Sequence, residues 1–137
     1  SGAIGSEQLK KWPGIMDVRQ ENANHFVSLF KDKSWCRIQK TIGFSSWFTF
    51  GMVLDGELKG RRAEVIEALD KAKIQNRPLA SRNFLKQPVM RDLDHIDHNN
   101  YAAADDIHNN GFFVGNGSVP IKDEITKLYE VISSLVK

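Results

Sequence analysis

Residues 107–116, with the sequence IHNNGFFVGN, predict a helix end and a short strand within ten positions. Asn110 and Gly111 indicate a helix that closes through left-handed residues, because asparagine and glycine adopt positive φ at low cost. The run from Phe112 to Val114 is too short and too apolar for anything except a buried strand. A helix-to-strand corner is therefore predicted here.

Asparagines lie at both ends of this predicted strand: Asn109 and Asn110 precede it, and Asn116 follows it. Their amides can both donate and accept hydrogen bonds. The rim of a sheet is a common place for ligands in α/β proteins. These residues are therefore candidates for ligand contact.

The clearest strand pattern runs from Ser46 to Leu54. One face of this strand carries Phe48, Phe50, Met52 and Leu54, and the other carries Trp47, Thr49, Gly51 and Val53. We expect the first face to lie in the core. The second face is less polar than an open sheet face, so we expect another element or a partner to cover it.

Apolar residues at helical spacing predict a long helix from Ile15 to about Lys31, a second helix from Lys59 and a last helix opening at 120–122. Residues 3–9 are typical of the tail of another helix. Pro13 predicts a kink or a fresh helix start beside it, because proline removes an amide donor and clashes with the preceding turn.

The middle of the chain predicts smaller elements. A strand over Ile74–Leu79 should end at Pro78 or lie on a sheet edge, because proline cannot donate to a ladder. Pro88–Leu93 is interpreted as one helical turn. Asn100 is the expected N-cap of a short helix over Tyr101–Asn109.

These elements predict an α+β fold, a small, mostly antiparallel sheet of three or four strands with helices packed on one face. The length of 137 residues fits a single domain over 1–137 with one core. The composition is that of a soluble protein, and no apolar run approaches the roughly 18 residues of a membrane span. Without an export signal, we expect a cytoplasmic location.

The charged residues and the cysteine argue against several classes of function. The net charge of +2 is scattered, so nucleic-acid binding is not expected. The lone Cys36 is interpreted as a packed thiol.

Residues 94–98 contain four side chains of types that can bind a metal. They are expected to lie in a loop, which gives the two histidines no defined geometry and no further ligand anchored nearby, so we predict no metal site. Ser45-Ser46 indicates a turn and no nucleophile. His108 could cap helix carbonyls or point into a cleft.

Two arginines are the best candidates for binding an anion. Arg77 and Arg82 flank the loop that starts at Pro78, and a guanidinium can form paired hydrogen bonds to a phosphate. A surface ion pair is an equal alternative for both.

Three runs of sequence resemble a known family: residues 45–48 (SSWF), 76–90 (NRPLASRNFLKQPVM) and 111–116 (GFFVGN). They are similar to the C-terminal part of the DegT/DnrJ/StrS family of pyridoxal-phosphate-dependent sugar enzymes. The subgroup they resemble most is the NDP-4-keto-6-deoxyhexose 3-dehydrases of lipopolysaccharide O-antigen biosynthesis. The resemblance covers nearly all of this chain, but only about the last third of a whole family member.

The resemblance implies the small domain of a fold-type I pyridoxal-phosphate enzyme, which closes over a cofactor held by a large domain. It implies that the substrate-facing residues are Arg77, Asn83, Phe84, Asn110, Phe113 and Asn116. Pyridoxal phosphate (PLP) or pyridoxamine phosphate (PMP) would belong to the large domain, which has no counterpart here. We therefore expect no cofactor in this chain alone, and no catalytic residue can be assigned.

The function expected from the resemblance is that of a domain of a nucleotide-sugar 3-dehydrase that is inactive alone. The alternatives are the small domain of a nucleotide-sugar aminotransferase and a stand-alone binding or dimerisation module. The lysine or histidine that separates dehydrase from aminotransferase lies outside this sequence. Expected partners are a weakly bound nucleotide-sugar and either the cofactor domain or a second subunit, with a homodimer as one form.

Overall fold

The computed structural model describes residues 2–96 and 100–137 and contains four α-helices and one four-stranded sheet. The helices are α1 (Gly2–Phe30), α2 (Arg62–Lys71), α3 (Ala102–Asn110) and α4 (Lys122–Ser133), and the strands are β1 (Cys36–Ile38), β2 (Thr49–Leu54), β3 (Asn76–Arg77) and β4 (Gly111–Gly115). Short 3-10 helices lie at Gly56–Leu58, Phe84–Lys86 and Pro88–Asp92. The predicted α+β class is confirmed.

The strands are arranged in the order β1-β2-β4-β3, and every neighbouring pair is antiparallel. In the centre, Phe50 lies opposite Val114. At one edge, the two-residue β3 places Arg77 opposite Phe113. The strand predicted over 74–79 is therefore shorter than expected, but it lies at an edge and stops before Pro78, as the missing amide donor of proline requires.

Three helices, α1, α2 and α4, pack on one face of the sheet and enclose the core. Phe50 of β2 is fully buried and stacks on Phe26 of α1, with ring centroids 4.4 Å apart. Val65 of α2 and Ile132 of α4 are also fully buried. The wide apolar stripes of the long helices thus cover the apolar face of the sheet.

The opposite face of the sheet is covered in part by this chain itself. Arg37, which points away from the core, forms a hydrogen-bonded ion pair with Asp106 of α3. The side chain of Leu79 approaches the sheet at Gly51 and Gly111. Part of the cover expected from the apolar character of this face is therefore intramolecular.

The first residues of the predicted strand 46–54 do not follow its alternation. Phe48 was expected in the core but is 69% exposed, whereas Trp47 is 6% exposed. Trp47 has a φ of 46°, so its backbone is left-handed, and regular alternation begins only at Thr49. This local twist turns the indole into the core and the Phe48 ring to the surface.

The helix-to-strand corner at residues 110–111 is confirmed, but its expected left-handed closure is wrong. Gly111 has φ −88° and ψ 140°, which is extended backbone. A Cβ atom there would lie 2.5 Å from the carbonyl oxygen of Ile107 and 2.7 Å from Cδ1 of Leu79. Glycine is required because α3 and Leu79 approach this point closely.

The expected N-cap at Asn100 is also wrong, and of the two alternatives expected at Pro13, a kink or a fresh helix start, the fresh start does not occur. No fresh start occurs near Pro13, which lies inside the continuous α1. The residues around it are exposed, so water can hydrate the carbonyl that proline leaves unbonded. Asn100 does not cap α3, because its φ of 72° is left-handed, and the helix begins at Ala102.

Candidate functional site

An open groove lies on the face of the sheet opposite the core, at the C-terminal end of β4. The groove has a volume of about 570 Å³ and is lined by Arg19, Phe48, Thr49, Arg77, Phe113 and residues 115–118. Four elements meet here, because α1, β2, β3 and β4 each contribute a side chain. Of the six site residues predicted from the sequence, Arg77, Phe113 and Asn116 lie together in this groove.

Two guanidinium groups and two aromatic rings give the groove its chemical character. The Arg19 guanidinium lies over the Phe48 ring, with its Cζ 5.3 Å from the ring centroid. Its Nε atom is buried and has no hydrogen-bond partner among the described residues. Arg77 supplies the second cation and Phe113 the second ring. Such a set suits an anion attached to a flat or apolar group.

Sequence reasoning missed Arg19 and Phe48 as groove residues. Arg19 falls at the helical spacing of the apolar residues of α1, so its position in the sequence does not distinguish it from them. Phe48 was assigned to the core by its period-two pattern. The positive φ of Trp47, which turns Phe48 outward, leaves no signal in the alternation of apolar residues.

Asn116 lines the groove, but its side chain is engaged within the protein. It is 3% exposed, and Nδ2 donates to the Trp47 carbonyl at 2.7 Å and the Arg19 carbonyl at 3.2 Å. Its Oδ1 accepts from Asn22, a fully buried side chain of α1. Asn116 therefore fixes the positions of the backbone that carries Arg19 and Trp47. Contact with a ligand at this point would come from its neighbours Gly115 and Gly117.

Asn22 is a third residue whose role was not predicted from the sequence. Its Nδ2 also donates to the Val119 carbonyl at 2.9 Å, and its Oδ1 accepts from the Ile121 amide at 3.1 Å. Together with Asn116, it holds the segment after β4 against α1. A polar residue on the buried side of an amphipathic helix was the only available signal.

Asn83 and Phe84 do not line the groove. The Asn83 side chain is buried, accepts from the Leu85 amide at 3.1 Å and donates to Asp105 at 2.7 Å. It thus caps the short 3-10 helix over 84–86 and joins it to α3. The Phe84 ring is half-exposed.

Asn110 also has its partners within the chain. Its Oδ1 accepts from the Gly60 amide at 2.8 Å, and its Nδ2 donates to Asp106 at 2.8 Å. The residue is 4% exposed. It ties the corner between α3 and β4 to the loop before α2.

A small ionic cluster joins α3 to the loop of residues 78–96. Lys86 lies 2.8 Å from Asp105, and this hydrogen bond, together with that from Asn83, holds the pKa of the Asp105 carboxyl below its ordinary value. His108 contributes to the same lowering. The His108 Nδ1 atom is buried and makes no hydrogen bond within the described residues, so it does not cap a helix carbonyl through that nitrogen.

The groove does not supply the groups that a pyridoxal cofactor needs. Its lining residues, all in the described part of the chain, include no lysine or histidine for the aldehyde and no carboxylate for the pyridine nitrogen. Its arginines and rings suit the phosphate and apolar parts of a ligand instead.

Within residues 2–96 and 100–137, no three histidine, cysteine, aspartate or glutamate residues form a metal-binding group. Asp97 and His98 of the predicted polar run lie outside the described residues. No described helix is both long and apolar enough to cross a bilayer.

The sequence model of the DegT/DnrJ/EryC1/StrS aminotransferase family matches residues 1–133. The chain is 41% identical to GDP-4-keto-6-deoxy-D-mannose 3-dehydratase of Escherichia coli O55:H7 and 37% identical to the enzyme of that name from Yersinia pseudotuberculosis. Both matches cover 96% of this chain and 34% of the relative. The chain thus spans about a third of the length of these relatives.

Solved structures agree with the sequence comparison. The E. coli dehydratase with bound hydrated PLP superposes with a TM-score of 0.88, covering 95% of this chain and 34% of the other. A GDP-4-keto-6-deoxymannose 3-dehydratase variant with bound GDP-perosamine gives 0.89, with 41% identity over 96% of this chain and 34% of the other. The Helicobacter pylori aminotransferase PseC gives 0.80 at 18% identity, covering 97% of this chain and 36% of the other. The PseC likeness shows the fold alone.

Proposed function

The chain belongs to the DegT/DnrJ/EryC1/StrS aminotransferase family, and from this premise we propose that it acts as the C-terminal small domain of a nucleotide-sugar 3-dehydrase. The observation that carries the proposal is the 41% identity to a 3-dehydratase over 96% of this chain. The remaining two-thirds of the relatives' length would hold the PLP or PMP cofactor and the catalytic groups. On this account the chain has no turnover alone.

The groove is the part of this chain that we assign to substrate. A GDP-sugar carries a diphosphate, and we assign its binding to Arg77 and Arg19, which both line the groove. Phe48 and Phe113 would pack against the base or the sugar. The binding of GDP-perosamine by a related dehydratase supports a GDP-linked substrate.

The chain's own residues contribute only part of such a site. One wall of an open groove buries little of a ligand, so we expect millimolar affinity at best, about 4 kcal/mol. Asn83, Phe84 and Asn110 remain in the proposal as residues that shape the loops around the site. The cofactor supplies the electron sink of the reaction when it is bound by the other domain.

The dehydrase assignment is favoured over the aminotransferase. Both curated relatives with substantial identity are 3-dehydratases, whereas PseC is similar at 18% identity. A stand-alone module is not favoured, because the similarity to the dehydratases extends over nearly the whole chain. In a whole enzyme, the exposed apolar side chains Trp12 and Phe44 would be covered by the cofactor domain or by a second subunit. The proposed location of that enzyme is the cytoplasm, as expected from the sequence.

A proton-nitrogen NMR titration with GDP and GDP-mannose tests the assignment of the groove. Shifts should be confined to the groove residues, including 113–118, and should disappear in Arg77→Ala. Arg61→Ala is the matched control, because Arg61 pairs with Glu64 away from the groove. Equal shifts in both variants, or none at millimolar ligand, would contradict the assignment.

A further inference from the structure

A second cavity lies beyond β3, between α2 and the loop that follows Pro78. Its volume is about 270 Å³, and within the described part of the chain its charged lining residues are Arg62 and Arg82. Ile66, Pro78 and Phe112 supply apolar walls. None of its lining residues belongs to the groove assigned to the nucleotide-sugar. It is therefore a separate candidate site.

The two arginines line the same cavity, and neither has a counter-ion among the described residues. Neither forms an ion pair or a side-chain hydrogen bond there, and the Nε atom of Arg82 is buried without a partner. Burial and the nearby charge of Arg82 lower the pKa of Arg62. In contrast, the adjacent Arg61 is paired with Glu64 at 2.8 Å. Two partly buried like charges repel each other and favour a bound anion.

Two backbone features accompany the paired arginines. Arg82 has a φ of 59°, which is costly for a residue with a side chain and persists where the surroundings hold it. The first turn of α2 lines the cavity through Arg62 and Ala63, and no side chain caps this helix. The positive end of the helix dipole therefore adds to the attraction for an anion.

We propose that Arg62, Arg82 and the first turn of α2 form a binding site for a phosphate group. The guanidinium groups hold the phosphate oxygens, and the apolar walls contact the organic part of a phosphomonoester. Inorganic phosphate satisfies the charged part alone. The cavity is large enough for the ester, and the two ligands are distinguished by experiment.

The test is a proton-nitrogen NMR titration of the chain that follows backbone amides and arginine Nε groups. The probes are inorganic phosphate and glycerol 3-phosphate, with chloride at equal ionic strength as the reference. Shifts should centre on residues 62–66 and 78–82. Tighter binding of glycerol 3-phosphate would assign the site to an ester, and equal binding would assign it to the phosphate group itself.

Variants test the role of the two arginines. Arg82→Gly removes the cation. Glycine is also the residue that best tolerates the left-handed backbone at this position, so the fold should be kept. This variant and Arg62→Gln should each weaken phosphate binding at least ten-fold, whereas Arg61→Gln should not. Unchanged affinity in either cavity variant, or no shift with either probe, would overturn the proposal. Signals at 113–118 in the same spectra report the groove separately.

Discussion

The side-chain amide of Asn22 on α1 donates a 3.1 Å hydrogen bond to the amide oxygen of Asn116, 94 residues later in the chain. Both side chains are almost fully buried. The same pair binds the backbone of Arg19, Trp47, Val119 and Ile121. The long helix, the start of β2 and the segment after β4 are therefore joined at one edge of the groove.

We predict that Asn22→Ala lowers the free energy of unfolding by about 3 kcal/mol, because it removes three hydrogen bonds and leaves the buried amide oxygen of Asn116 without its donor. Urea unfolding measures the change. Asn24→Ala removes an amide from the exposed side of the same helix and should change stability by less than about 0.5 kcal/mol. Similar losses in both variants would contradict the role of the buried pair.

Phe50 and Phe48 form a matched pair for testing the strand β2. Phe50→Asp places a charge in a fully buried site against Phe26, so we predict that this variant does not fold. Phe48→Asp changes a ring that is 69% exposed, and it should melt cooperatively. Circular dichroism during heating distinguishes them, and a cooperatively melting Phe50→Asp would refute the assignment of the core face.

Much of the fold could be predicted from the sequence because apolar periodicity records which face is buried. The alternation over 50–54 and the stripe of α4 gave the correct core residues. Pro78 correctly indicated the edge position of β3. The failures at Trp47 and Gly111 have local causes, a left-handed backbone and a close approach of chain segments. Neither cause changes the apolar pattern.

The site was predicted less well, because a resemblance transfers residue positions without the directions of their side chains. Arg77, Phe113 and Asn116 do meet in one groove. Asn83 and Asn110 direct their amides into the protein instead. Arg19 is brought to the groove by packing between elements distant in sequence, which periodicity within one helix cannot indicate.

Stability should depend on the Asp105 carboxyl at low pH. Hydrogen bonds from Lys86 and Asn83 lower its pKa in the folded protein, so its contribution is present above the unfolded pKa and is lost as pH falls through the folded pKa. We predict that Asp105→Asn is less stable than wild type at pH 7, that the difference begins to shrink as the pH falls to roughly 4, and that it disappears only below the lowered folded pKa.

Urea unfolding across this pH range measures the Asp105 effect. Asp17→Asn is the control, because Asp17 is exposed on α1 and should give a profile parallel to wild type. A stability difference for Asp105→Asn that stays constant from pH 7 to pH 3 would show that its carboxylate charge is not the cause.

Cys36 should be unreactive in the native protein. It is 3% exposed, and burial raises the pKa of its thiol to about 12. At pH 8 this leaves on the order of 10³-fold less thiolate than in the unfolded chain. Labelling with a chromogenic disulfide should therefore be slow in buffer and fast in urea. Rapid native labelling would show that β1 opens readily.

The most direct measurement of the proposed function is the dehydratase activity of a chimera. This chain would replace the matching segment of the E. coli GDP-4-keto-6-deoxy-D-mannose 3-dehydratase, to which it is 41% identical. We predict a PLP-binding chimera that dehydrates the GDP-sugar, with KM raised at least about ten-fold by Arg77→Ala and unchanged by Arg61→Ala. A folded, cofactor-loaded chimera that binds no GDP-sugar and has no turnover would contradict the assignment of this chain as the small domain of a 3-dehydrase.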